Sequence, residues 1–302
     1  MRTRRRILAV AVSLALGTTA GSPVSWANTV APSSAPAVPS WLQGAWTRDW
    51  IQRGEAKTNT VDVHYLQTST LFADMRVPKD RTRMPNAKSF ADLTDQQLRL
   101  LARQNGFAGL TAMTGDIATW SHDIQYQPSD GSQDQGRIQR VDPTHMREHG
   151  LDGSYIESWK STSGGNGHFL VIRVERAGRL LRTLVVVGNQ FLYVRNRAID
   201  LPEAESFEAL IESTKATRKQ IEEYLDCEFS FGQVRGGSVP WEIEQSTLPW
   251  QEGRHLNFVE EVAPVAGATR LAPRAAGDGE WTVPINTLSA REIQELFGRM
   301  MR

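Results

Sequence analysis

The sequence predicts a mainly β protein: a closed antiparallel β-barrel, single, enlarged or twin, with two or three packed helices. From Trp41 onward, short runs of alternating apolar and polar residues recur about every ten residues, separated by turn residues. These runs are more numerous than one flat sheet accommodates, so the sheet is expected to close on itself. The 302 residues are 40% hydrophobic and 23% charged, which fits one large globular domain or two small ones.

The alternating runs place strands along most of the chain. We expect strands near 44–53, 60–67, 70–77, 107–114, 117–127, 135–141, 153–161, 168–176, 179–187, 190–196, 226–235, 239–246 and 255–261. Together they predict one barrel domain over 41–287.

Three segments with helical spacing interrupt the strands. Thr94 begins a capping box before an insertion near 94–105, and Ser206 can cap a second insertion near 206–225. Ser289 begins another capping box, which predicts a C-terminal helix over 288–302. The apolar stripe of each segment is expected to pack against the sheet.

The N-terminus has the features of an export signal. Residues 1–27 combine an arginine-rich start, an apolar run and the small residues Ser25 and Ala27 before a cleavage point. The run is shorter than the about 20 residues of a membrane span, so we expect cleavage, no span in the mature chain, and a periplasmic or secreted protein. Both Sec and twin-arginine export fit this signal. Residues 28–40, rich in Pro, Ala and Ser, predict a disordered leader.

The charge balance excludes some classes of partner. Lys plus Arg and Asp plus Glu both number 34, and four of the arginines lie in the first six residues, so the rest of the chain is mildly acidic. Nucleic acids and anionic membranes favour basic surfaces, so neither is expected as a partner. The oligomeric state stays open.

The strand phase predicts charged residues inside the barrel. Alternate side chains on a strand share a face, so the residues beside inward-facing aromatic rings should also point inward. The resulting candidate ligand-binding set is Trp46, Arg48, Trp50, Asp74, Arg76, Trp120, His122, Tyr126, Tyr155, Glu157 and Trp159.

Two interpretations of these charges stay open, because an unpaired buried charge costs several kcal/mol. In the first, Asp74, Glu157 and the two arginines form an internal ion-pair network. In the second, they are the polar contacts of an aromatic-walled cavity for a small molecule. A carboxylate near an imidazole also offers acid–base chemistry, with His122, Glu157 and Asp74 as weak catalytic candidates.

The other chemical motifs in the sequence give little evidence for a functional site. The string HMREH (145–149) matches the H-x-x-E-H pattern of some zinc peptidases, but it is too short for the helix that such a site needs, so surface histidines and no metal site are expected. Cys227, the only cysteine, excludes an intramolecular disulfide and is expected to be a small buried residue. We find no phosphate-binding or dinucleotide-binding loop, and no cofactor is expected.

The residues Gly44-Ala45-Trp46 resemble the G-x-W signature of lipocalins, in which the tryptophan plugs the closed end of the barrel. Longer strings resemble a family of bacterial proteins with a lipocalin-like barrel and remote fungal relatives: GAWTRDWIQRG (44–54), VHYLQTSTLFADMRVP (63–78), ATWSHDIQYQP (118–128), YIESW (155–159) and STLPWQEG (246–253). The resemblance covers roughly residues 41–260 and implies a closed antiparallel lipocalin-like barrel, single, enlarged or twin, without a settled family activity to carry over. The signal peptide, the leader and the segment 262–302 depart from it.

The leading hypothesis is an exported barrel that binds a small, partly apolar molecule, and the two arginines favour an acidic head group. The alternatives are a barrel enzyme of the isomerase or hydrolase type, and a structural envelope protein with a filled interior.

Overall fold

The computed structural model describes residues 37–164, 167–235, 237–265, 270–275 and 279–297. The predicted signal peptide and residues 28–36 of the leader lie outside the described residues, as does the end of the predicted C-terminal helix.

The first half of the chain forms the barrel. Its strands are β1 (Gly44–Arg53), β2 (Ala56–Thr58), β3 (Val61–Gln67), β4 (Leu71–Pro78), β5 (Asn105–Thr114), β6 (Ile117–Gln125), β7 (Asp134–Arg140), β8 (His145–Gly150) and β9 (Ile156–Gly164). From β3 onward each strand pairs antiparallel with the next, β3 pairs with β1, and β9 returns to β1. The short β2 pairs only with the end of β1. The predicted closed antiparallel barrel is therefore confirmed, with eight strands in the ring.

The second half forms an open sheet. Its six strands are β10 (Phe169–Arg176), β11 (Arg179–Val187), β12 (Gln190–Arg195), β13 (Glu228–Gln233), β14 (Glu242–Ser246) and β17 (Glu280–Asn286). A separate hairpin, β15 (Val262–Pro264) and β16 (Leu271–Pro273), lies between β14 and β17 in the chain. The strand order is β14-β13-β12-β11-β10-β17. Within the described residues this sheet does not close, so the barrel is single and uses only 44–164 of the predicted 41–287 range.

Four helices occur in the described chain: α1 (Asp95–Ala102), α2 (Phe207–Thr214), α3 (Arg218–Leu225) and α4 (Ala290–Phe297). Thr94 and Ser206 cap α1 and α2 as the sequence predicts. The insertion predicted near 206–225 is two helices, because Lys215 adopts a left-handed conformation and Thr217 caps a new helix with Gln220. The strand predicted over 255–261 is also wrong, since Asn257–Glu261 is a 3₁₀ helix.

The open sheet lies between two apolar layers. One face, with Val171, Val185 and Leu192, packs together with α1, α2 and α3 against the outside of the barrel. The other face, with Leu184 and Phe191, is covered by the C-terminal segments and α4. A third apolar cluster fills part of the barrel interior.

Buried polar contacts hold the two halves together. The guanidinium of Arg197, next to β12, donates hydrogen bonds to the carbonyl oxygens of Gln125 and Tyr224 at 2.9 Å each, and to that of Tyr126. His64 on β3 stacks on Phe231 of β13 with 3.6 Å between ring centroids. Burial lowers the pKa of His64 to about 4, so this ring is neutral at physiological pH.

The closed end of the barrel is plugged from inside. Trp46 is buried, and its indole nitrogen donates a hydrogen bond of 2.8 Å to the carbonyl oxygen of Leu42. Val38 is buried in the same cluster and bonds through its backbone to Ser69. The ordered structure therefore includes residues 37–40 of the predicted leader.

Two of the three register shifts in the barrel sheet change which predicted site residues face inward. Between β1 and β9, Arg48 pairs with Trp159 but Trp50 pairs with Ser158, so Asp49 is an extra residue. Between β5 and β6, Ala108 pairs with Ile124 but Gly109 pairs with His122, so Asp123 is extra. Since facing alternates with every residue, each bulge reverses the orientation of all later positions on its strand.

The second bulge depends on a glycine. A Cβ on Gly109 would lie 1.8 Å from the carbonyl oxygen of Ser121, which is a backbone atom that cannot move aside cheaply. Gly109→Ala is expected to lower the free energy of unfolding by about 3 kcal/mol, measured by urea denaturation.

A matched control is Gly115→Ala in the turn between β5 and β6. Gly115 has φ of 64° and open space around an added Cβ, so only the left-handed backbone is penalised, by about 1 kcal/mol. Equal losses in the two variants would contradict the close approach at the bulge.

Candidate functional site

The barrel encloses a cavity of about 620 Å³ that opens at the end opposite Trp46. This volume lies in the range of small-molecule sites. Six aromatic side chains line it: Tyr65, Phe72, Phe107, Trp120, Tyr155 and Trp159.

A chain of charged side chains crosses the cavity wall. Arg76 holds Asp74 with two hydrogen bonds, from Nε to Oδ1 at 2.8 Å and from Nη2 to Oδ2 at 3.3 Å. Arg48 donates to Oε1 of Glu157, and Nη1 of Arg76 lies 3.9 Å from the same oxygen. Asp74 and Glu157 are each 2% exposed. Burial raises the pKa of Asp74, and the adjacent Arg76 guanidinium opposes that shift.

The strand register explains this meeting. Asp74 and Arg76 are two residues apart on β4 and therefore share a face. Arg48 of β1 is directly opposite Trp159, two residues beyond Glu157 on β9, and this neighbourhood exists only because β9 closes on β1.

Glu148 on β8 is a third interior carboxyl. It lies directly opposite Glu157 across the β8–β9 pair. The Tyr155 hydroxyl donates a hydrogen bond of 2.7 Å to Oε1 of Glu148. Gly136 on β7 leaves room for it, since a Cβ there would lie 2.8 Å from Cγ of Glu148. Burial and the negative charge of Glu157 raise the pKa of Glu148 to about 8, so this carboxyl holds its proton at neutral pH.

Two polar atoms of the wall have no partner. Oε2 of Glu157 and Nε1 of Trp159 are buried and form no hydrogen bond with any described residue. Buried polar atoms normally have a hydrogen-bond partner, so each of these two atoms lacks a bond that most buried groups form.

His122 belongs to a different pair from the one the sequence favours. Its Nε2 is 2.9 Å from Oδ2 of Asp134 and its Nδ1 is 3.1 Å from Oε1 of Gln125. Its ring stacks on Phe107 with 4.2 Å between centroids. Within the described chain it has no hydrogen bond to Glu157 or Asp74, the catalytic partners considered from the sequence.

The structure brings together most, but not all, of the predicted site residues. The cavity is lined by Asp74, Arg76, Trp120, His122, Tyr155, Glu157 and Trp159. Arg48 forms an ion pair with Glu157 but does not line the cavity, and Trp46 lies in the plug at the closed end.

Trp50 and Tyr126 lie elsewhere, for one shared reason. The bulge at Asp49 turns Trp50 outward, where the Lys57 ammonium lies 3.8 Å from its ring centroid. The bulge at Asp123 turns Tyr126 outward into the core between barrel and open sheet, where its hydroxyl donates a hydrogen bond of 3.0 Å to the Leu101 carbonyl.

The candidate set from the sequence omits five residues of the cavity lining: Tyr65, Phe72, Phe107, Asp134 and Glu148. Phe72 shares its face with Asp74, so the same phase argument includes it. Glu148 lies in the string HMREH, which the sequence analysis interprets through its two histidines and not as a strand. Met146, Glu148 and Gly150 are buried alternately along β8, which is a period-two signal.

The H-x-x-E-H string therefore has no helical geometry. No group of three or more metal-ligating side chains occurs among the described residues. Cys227 is buried, and burial raises the pKa of its thiol, which opposes a reactive role.

Comparisons of the chain with protein-family models, with curated proteins and with solved structures found no match. In the part of the chain that the structure describes, no helix has the length and apolar character needed to cross a membrane.

The raised pKa of Glu148 predicts a pH dependence of stability. The folded protein holds this proton more tightly than the unfolded chain, whose carboxyl has a pKa near 4.5. The stabilisation is complete below that value and is lost as the pH rises to about 8, at up to about 1.4 kcal/mol per pH unit. Glu148→Gln keeps the acceptor for Tyr155 and should remove this loss, as measured by urea unfolding across the pH range.

Glu203→Gln, at an exposed glutamate of similar charge and size, is the control. It should follow the wild-type pH profile. If Glu148→Gln also follows that profile, the carboxyl is ionised in the folded protein and the account of its burial fails.

Proposed function

We propose that the protein binds a small, partly apolar molecule in the barrel cavity. The observation that carries this proposal is an open, aromatic-walled cavity of about 620 Å³, whose lining includes Glu157 with its buried and unpartnered Oε2. A structural barrel with a filled interior explains the cavity less well, because protein interiors are normally close-packed and leave few voids of this size.

The head group expected from the sequence needs revision in this proposal. Both interior arginines already have carboxylate partners, Asp74 and Glu157. An acidic ligand would have to displace one of these buried carboxylates, which would leave a charge unpaired. An acidic head group is therefore not favoured.

We also propose export and a lipocalin-like ancestry. Export is supported by the signal-like residues 1–27. The ancestry is supported by Trp46, which occupies the G-x-W position at the start of β1 and plugs the closed end.

An acid–base enzyme remains the second candidate, favoured by one observation. Glu148, whose raised pKa is about 8, lies opposite Glu157 across the β8–β9 pair. A carboxyl that keeps its proton at neutral pH and lies beside a second carboxyl is a common arrangement in acid–base catalysis. Loss of turnover without loss of binding in Glu148→Gln is the result that distinguishes this candidate.

Ligand binding is tested with a neutral fluorescent dye, N-phenylnaphthylamine. We expect saturable binding, which Trp120→Leu weakens about tenfold, because a lining ring is lost. Trp50→Leu removes the same ring from the outer face of the barrel and should change the affinity less than about twofold. Absence of saturable binding, or equal effects of the two substitutions, would contradict binding in the barrel.

A further inference from the structure

The interior of the barrel holds more carboxyls than cations. Asp74 and Glu157 have guanidinium partners in Arg76 and Arg48. Glu148 receives only the Tyr155 hydroxyl, and no guanidinium or ammonium of the described residues forms an ion pair with it. The cluster thus has one carboxyl more than it has cations, and it is balanced only while Glu148 keeps its proton.

A second observation points to the same place. Glu157 is 2% exposed, its Oε1 faces the two arginines, and its Oε2 has no hydrogen bond within the described chain. A buried carboxylate oxygen without a donor is energetically costly. A ligand that brings an N–H donor would satisfy it.

The mouth of the cavity has the same sign. Four carboxyls line it: Asp130, Asp134, Asp152 and Glu205. Asp130, Asp152 and Glu205 are exposed. Clefts lined by one sign of charge concentrate the opposite ion. The aromatic walls also favour a cation, because ring faces attract positive charge, as Arg76 already shows over Phe107 at 5.4 Å.

We propose that the cavity binds a small organic cation, an amine on a partly apolar body, with its charged nitrogen between Glu148 and Glu157. This inference rests on the proposed binding function and adds the chemical class of the ligand. The charge of the ligand takes the place of the proton that balances Glu148 in the free protein.

Binding then displaces a proton. An ammonium beside Glu148 favours its carboxylate, so the carboxyl releases its proton to solvent as the amine binds. The charged or titratable groups that surround Glu148 come from six strands and one loop: Arg48 on β1, Tyr65 on β3, Asp74 and Arg76 on β4, His122 on β6, Asp134 on β7, Glu157 on β9, and Tyr155 just before β9. Among those that most affect its pKa, Glu157 and Asp134 raise it, while Arg76 and the Tyr155 hydrogen bond lower it.

The test is isothermal titration calorimetry of the full chain with three probes of similar shape: phenethylamine, phenethyl alcohol and hydrocinnamate. We expect the amine to bind at least about tenfold more tightly than the alcohol or the acid. Repetition in buffers of different ionisation enthalpy should show release of up to about one proton near neutral pH, and the amine affinity should rise toward about pH 8.

Glu148→Gln is the decisive variant. At about pH 8 it should weaken amine binding about tenfold and abolish proton release, with phenethyl alcohol affected less than about twofold. Glu203→Gln should leave all three values unchanged. A cooperative urea-unfolding transition shows that the variant is folded.

The outcomes separate the two proposals. Equal or tighter binding of the alcohol or the acid overturns the cation inference but leaves small-molecule binding in place. Amine preference that persists unchanged in Glu148→Gln overturns the assigned position of the charge. If none of the three probes and no dye binds, both the function and the inference fail.

Discussion

The structure depends on the pairing of charges inside the barrel. Two guanidiniums and three carboxyls occupy the interior wall, and a buried charge without a partner costs several kcal/mol. Arg48 and Arg76 neutralise Glu157 and Asp74, and Glu148 avoids a third negative charge by retaining a proton. The ion-pair network and the cavity are therefore parts of one arrangement. The pairs keep the polar wall in register, and Glu148 and Glu157 both line the space that a ligand can fill.

The bulges at Asp49 and Asp123 determine which side chains face that space. Without the extra Asp123, Gln125 would turn away from the cavity and Tyr126 would enter it, so the contact between β6 and the open sheet would be lost. Gly109 permits this bulge because only a residue without Cβ tolerates the close carbonyl of Ser121. Similarly, the extra Asp49 allows Trp46 and Arg48 to face inward while Trp50 lies outside. The site and the packing of the second sheet thus share the same backbone irregularities.

The sequence predicts the strands and the charged interior because alternation reflects burial directly, as in Phe72, Asp74 and Arg76 on β4. It does not predict the bulges, since one extra Asp leaves no pattern of its own, and so Trp50 and Tyr126 are assigned to the wrong face. It also does not predict ion-pair partners: Arg48 meets Glu157 only through the closure of β9 on β1, more than a hundred residues apart in sequence. It does not predict the interior position of Glu148, because the strand that carries it is short and polar.

The most direct test of the central claim is a crystal structure of the protein with phenethylamine bound, at about pH 8. The claim is that Glu148 and the unpartnered Oε2 of Glu157 form the recognition point of a cationic ligand. The account predicts electron density for the amine inside the barrel, with its nitrogen at about 3 Å from Oε2 of Glu157 and near Glu148, and its ring against the aromatic wall. An amine bound outside the barrel, or inside with its nitrogen directed away from both carboxyls, would contradict it.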